Sequence, residues 1–183
     1  MKTLVIFAIL WCCAFSLQAQ VTQLDEARVK ASPIMLAETS TPDEFRYIVN
    51  DGYAADFTKD PLTFVKQNFD IHSFIATVKD RNYDSYLVSF STRKGTLQVN
   101  YSRDGELERT SQRFTNVFLP EAVRNELFRQ TQGWSMVKNT YTASGNGDLM
   151  EKESYRIKVK NGNKSKIVKI NPQQLQEGRM AGI

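Results

Sequence analysis

Apolar residues recur along this chain at two spacings, and each spacing predicts an element. Phe45-Arg46-Tyr47-Ile48-Val49 reads as a strand that stops at Asn50-Asp51-Gly52. Asp60-Pro61 opens a helix, because aspartate at the N-cap accepts from free amides and proline is tolerated at the first helical position. Leu62, Val65 and Phe69 then fall at helical spacing, with Phe64 beside them. From Tyr86 the period becomes two. Tyr86, Val88 and Phe90 alternate with Leu87, Ser89 and Ser91, and Arg93-Lys94-Gly95 supplies a turn. Leu97, Val99 and Tyr101 then alternate with Thr96, Gln98 and Asn100, and Asp104-Gly105 predicts a tight turn before Leu107. Such regular polar positions predict an antiparallel meander with one face buried and one wet. The Ser/Thr/Arg-rich stretch from Arg109 to Arg113 continues it toward an expected edge.

The same order of parts then returns. Pro120 opens a helix to about Gln130, carrying Val123 and Leu127, and Gly133 suits its C-terminal cap. A strand is expected from Trp134 to Tyr141, then a loop at Ser144-Gly145-Asn146-Gly147. Asn161-Gly162 joins Tyr155–Lys160 to Lys166–Ile170, the strongest short hairpin signal a sequence offers. The fold class is therefore α+β, with antiparallel sheet meanders each packed by a helix. Two helix-plus-hairpin units are expected over about 59–113 and 114–171, after an N-terminal segment 20–58 with one strand and before a C-terminal tail 172–183. Chance recurrence of common parts is the competing explanation for the repeat.

Three blocks carry a resemblance: Asn82-Tyr83-Asp84-Ser85-Tyr86-Leu87-Val88-Ser89-Phe90, Gly95-Thr96-Leu97-Gln98-Val99-Asn100-Tyr101 and Asp104-Gly105-Glu106-Leu107. With the Leu119-Pro120 helix to Leu127 and Gly133-Trp134 after it, they resemble the PepSY-like proteins of bacterial envelopes. That family is also described as having a β-lactamase-inhibitor-protein-like fold. The resemblance spans roughly residues 60–171 and is a pattern of parts more than an exact motif; residues 20–58 lie outside it. It implies a helix packed on an antiparallel sheet, repeated, and a periplasmic binding or inhibitory role with no catalytic residues to carry over.

Composition changes this picture mainly at the N-terminus. Met1-Lys2 is a short positive region, Leu4 to Phe15 is an unbroken apolar run, and Leu17-Gln18-Ala19 offers a cleavage site. The run is too short to span a bilayer, so a cleaved export signal over residues 1–19 is expected, with periplasmic or extracellular residence. A retained anchor is one alternative. A lipoprotein is another, although Leu10-Trp11 ahead of Cys12 lacks the small residues such processing expects. Both cysteines, Cys12 and Cys13, fall in this segment, so the rest of the chain must be stabilised by its own core. Of 183 residues, 41% are hydrophobic and 24% charged, ordinary for a folded domain, and no later stretch reaches the length of a spanning helix.

The residues exclude most common chemistry. His72 is the only histidine, and nucleophilic catalysis of the Ser-His or Cys-His kind needs a base beside a nucleophile. His72 is expected at the end of the first helix with Asp70 as partner, a structural role. A usual zinc site needs several His or Cys. No phosphate-binding loop is present, and Ser144–Asp148 is followed by no helix start, so a mobile hairpin loop is the reading there. Glu151 and Glu153 are expected on one side of a strand, with Lys152 between them favouring a solvated edge over a glycosidase pair. No calcium loop is found. Neither an enzyme nor any cofactor or metal is expected.

The formal charge of +4 is too mild to argue for nucleic acid. Its concentration in the last hairpin is more informative. Arg156, Lys158, Lys160, Lys164, Lys166 and Lys169 are the candidate binding residues, with Arg156, Lys158 and Lys160 on the face opposite the inward Tyr155, Ile157 and Val159. Such a face suits an envelope or extracellular protein, or an anionic surface. The bland alternative is that these lysines keep an exposed sheet from pairing with neighbours. The expectation is an exported, non-enzymatic binding or inhibitor-like protein. A periplasmic carrier of a small apolar ligand or peptide, its pocket lined by Phe64, Phe69, Phe90 and Trp134, is the alternative.

Overall fold

The predicted strand Phe45–Val49 is present with those bounds, as the second of eight strands in one sheet among the described residues. The computed structural model describes residues 32–37 and 45–175; the expected export signal and residues 176–183 of the expected tail lie outside them. The strands are β1 (Ile34–Leu36), β2 (Phe45–Val49), β3 (Ser85–Thr92), β4 (Gly95–Ser102), β5 (Leu107–Thr115), β6 (Ser135–Asn146), β7 (Leu149–Asn161) and β8 (Lys164–Ile170). They lie side by side in chain order, and every neighbouring pair is antiparallel except β2 and β3. The molecule is α+β, as predicted, with one parallel pair that the sequence reading does not contain. A parallel pair needs a long crossover. Helices α1 (Ala54–Lys59), α2 (Pro61–Asn68) and α3 (Ile71–Val78) supply it. A fourth helix, α4 (Glu121–Gln130), joins β5 to β6.

Helix α2 follows from Asp60 and Pro61: the Asp60 side chain accepts from the Thr63 amide, and Pro61 occupies the first turn. The apolar spacing does not predict helix α3. Its start is Asp70, whose carboxylate accepts the amides of His72 and Ser73 and the Ser73 hydroxyl. His72 therefore opens a new helix instead of closing the previous one. The residues Ile71, Ile75, Thr77 and Val78 are β-branched, which blurs the helical signal that the cap makes plain.

Two hydrophobic cores lie beneath the helices. Phe57, Val65, Val88, Phe90, Leu97 and Val99 are fully enclosed in the first, under α1–α3. Val123, Ile157 and Val159 anchor the second, under α4. Val117 and Tyr141 pack against both. The sheet is thus continuous while the helical layer is interrupted.

Three further expectations are corrected. Strand β5 is central, between β4 and β6; its inward residues Thr110 and Gln112 are polar yet buried, which hid its position. Residues Ser144 to Asn146 belong to β6, and only Gly147-Asp148 turn the chain. The Gly145 backbone is close enough to β7 that an added Cβ would stand 2.2 Å from the Leu149 carbonyl oxygen, so glycine there serves sheet pairing. Finally, Thr131 caps α4, while Gly133 takes a positive φ of 77° two residues later.

Candidate functional site

Strand alternation assigns the sheet two faces, and among the described residues the helices cover only one. On the open face, register aligns Arg109, Ser111 and Arg113 of β5 with Asn100, Gln98 and Thr96 of β4, and with Asn146, Ser144 and Thr142 of β6, in that order. Hydroxyls and amides dominate the centre, and three shallow depressions meet at Ser111. The β1–β3 end is more apolar, with Met35, Ile48 and Leu87 about half exposed. The β6–β8 end is cationic.

Register divides the predicted basic set. Arg156 pairs with Lys169, Lys158 with Ile167 and Lys138, and Lys160 with Ser165, so Arg156, Lys158, Lys160 and Lys169 share the open face. Lys166 pairs with the inward Val159 and stands on the helix side. Its ammonium donates to the Gln130 carbonyl at 3.3 Å and lies 4.9 Å from the Trp134 ring centroid. Lys164, two residues before it, has the same parity, opposite Asn161. The open face instead gains Lys138 from β6, and Arg109 and Arg113 from β5. Among the described residues, Glu108, which accepts from Asn100 at 2.8 Å, and Glu151 are the acids placed beside it.

Glu151 and Glu153 do not point the same way. The register slips between Ser144 and Gly145, leaving Glu151 as the extra residue of a bulge. Glu151 lines the open face with Gln98 and Asn100. Glu153 lies on the helix side, where its carboxylate accepts from the Tyr141 hydroxyl at 2.6 Å.

That pair sits at the floor of a cleft of about 580 Å³ over the seam between the two cores. Ala55, Thr58 and Pro61 of the α1–α2 region form one wall, and Val117, Phe118 and Pro120 the other. Gln112, Tyr141, Met150, Glu153 and Tyr155 form the floor. The Tyr141 and Tyr155 rings lie 4.9 Å apart, tilted by 38°. Burial, then the hydrogen bond to Glu153, holds the Tyr141 phenol well above its ordinary range. Burial, and then the Glu153 charge, pushes Tyr155 up to about 12. Both stay protonated at any physiological pH. The loop forming the second wall is fixed by Asn139, whose amide donates to the Val117 carbonyl at 2.9 Å and accepts from the Val117 amide at 3.0 Å. Phe118 is left 81% exposed at the rim, with the Arg124 guanidinium 5.1 Å from its ring centroid.

The remaining candidates are dispersed. The His72 ring rests beside Gly105 in the β4–β5 turn, and Asp70 is occupied by the helix start. Phe64, Phe69 and Phe90 pack in the first core and Trp134 against the second, so the four are divided between the two cores. Among the described residues no group of three His, Cys, Asp or Glu side chains is placed to hold a metal, and no helix is long and apolar enough to cross a membrane. The cleft escapes sequence reading because Gln112 lies in a uniformly polar stretch. Only parity hints at it: Glu153 shares the inward phase of Tyr155, Ile157 and Val159.

In comparisons with known proteins, no family model, curated protein or solved structure matches this chain at a significant level.

Proposed function

We propose that this chain is an exported, non-enzymatic binding protein of the bacterial envelope, built as two PepSY-like helix-plus-hairpin units. Its open sheet face holds an acidic protein partner. The observation that supports this reading is the character of that face. Eight strands present hydroxyls and amides at the centre, with Arg109, Arg113, Lys138, Arg156, Lys158, Lys160 and Lys169 on one half and few carboxylates to neutralise them. Lysines that only guard an edge need not continue inward as arginines on β5, with two strands between it and that edge. Complementary charge steers an acidic partner to the face, and short hydroxyls allow close approach.

The test is capture of acidic partners from an envelope extract on immobilised protein, followed by binding measurements with each purified partner. Charge reversal by Lys158→Glu with Lys169→Glu is expected to weaken binding about tenfold or more. Lys164→Glu with Lys166→Glu, on the helix side of the sheet, is expected to leave it within twofold, about 0.4 kcal/mol. Equal effects of the two double variants, or none from either, would refute the proposal.

A further inference from the structure

We infer that the cleft over the seam of the two cores binds a small organic cation carrying an apolar body. The inference concerns the helix side of the sheet and stands apart from the open-face reading.

The leading observation is Gln112. Its residue is 6% exposed, and its Oε1 atom is buried with no hydrogen-bond partner among the described residues. Buried polar atoms are nearly always satisfied, so one without a partner at the floor of a cleft marks a place where a donor belongs. The Gln112 amide turns its Nε2 toward Met150, whose sulfur lies 3.9 Å away. Methionine is the most adaptable of apolar side chains, so Met150 yields to an entering ligand at little cost.

The neighbouring groups select the kind of donor. Glu153 supplies a carboxylate, and its contact with the Tyr141 hydroxyl fixes its position. The Tyr141 and Tyr155 rings stand beside it, and aromatic rings attract cations through their electron-rich faces. An ammonium or guanidinium group therefore finds a carboxylate, two rings and a waiting carboxamide oxygen together. Pro61, Val117, Phe118 and Pro120 offer apolar contact to the rest of the ligand. Lys59, Asp60 and Lys94 also line the cleft, while Gln112 and Glu153 lie on its floor.

Benzylammonium, benzyl alcohol and benzoate serve as matched probes. Titrated into isotopically labelled protein, benzylammonium is expected to shift the Gln112 side-chain amide signals saturably. Benzyl alcohol is expected to bind at least tenfold more weakly. Glu153→Gln keeps an acceptor for Tyr141 and is expected to weaken benzylammonium at least tenfold, whereas Lys158→Glu on the opposite face leaves it unchanged. Shift mapping on the unaltered protein keeps the test valid should the Glu153→Gln variant fold poorly. Preference for benzoate, equal binding of alcohol and ammonium, or an unresponsive Gln112 amide would each overturn the inference. None of these outcomes bears on the open face.

Discussion

Asn139 shows how much one buried polar side chain governs here. It is 2% exposed, and both ends of its carboxamide are spent on the backbone of Val117. Its own carbonyl accepts from the Asn116 amide at 2.9 Å, so one residue closes the loop between β5 and α4 onto β6. Asn139→Leu keeps the branched shape of the side chain but abandons both of its hydrogen bonds, and is expected to cost about 2 kcal/mol in denaturant unfolding. The same substitution loosens the cleft wall at Phe118. Polar residues of this kind are where sequence reading is weakest. Thr110, Gln112 and Asn139 occupy inward positions, and period-two reasoning expects apolar side chains there.

At the scale of elements, caps and turns are the legible features. Asp60-Pro61 and Asp104-Gly105 act locally, through backbone geometry, and fall where the sequence predicts them. The last hairpin turns at Gly162-Asn163, one residue beyond the predicted Asn161-Gly162, with Asn161 still paired to Lys164. Element partners are less legible, since pairing of β2 with β3 and the central place of β5 depend on contacts distant in sequence. The basic hairpin is legible as charge, but its division between faces needs the register of β7 with β8. Helix α3 offers a test of cap energetics. Hydrogen bonds from the Ser73 hydroxyl and amide, and then from the His72 amide, hold the Asp70 carboxyl below its ordinary value of 3.8. A carboxylate whose folded value is depressed contributes stability above the unfolded value and loses it as pH falls through the folded one. First-turn amides of α3 are therefore expected to gain hydrogen-exchange rate, beyond the intrinsic pH effect, as the solution is acidified below 3.8. In Asp70→Ala those amides exchange fast already at neutral pH, and the acid-dependent increment disappears.

For the whole molecule, the relevant fact is that two cores share one sheet. Tyr141 and Val117 contact both, and β5 and β6 pair over seven consecutive positions from Arg109 to Thr115. The cores are therefore expected to melt together. Phe57 is fully enclosed in the first core, and Phe57→Ala is expected to cost about 3–5 kcal/mol. Trp134 reports on the second core. Its fluorescence midpoint should fall in step with the circular dichroism midpoint in that variant, and separated midpoints would show the two halves unfolding independently. The parallel β2–β3 pair has a different consequence, one of timing. From β3 to β8 each strand meets the strand just before it, so pairing advances as the chain lengthens. Strand β2 can pair with β1 as soon as it emerges, but three helices must follow before its second partner, β3, exists on the other edge. During synthesis from the N-terminus the backbone amides and carbonyls of that edge wait for β3, leaving an interval in which a helper protein or a wrong strand can occupy it.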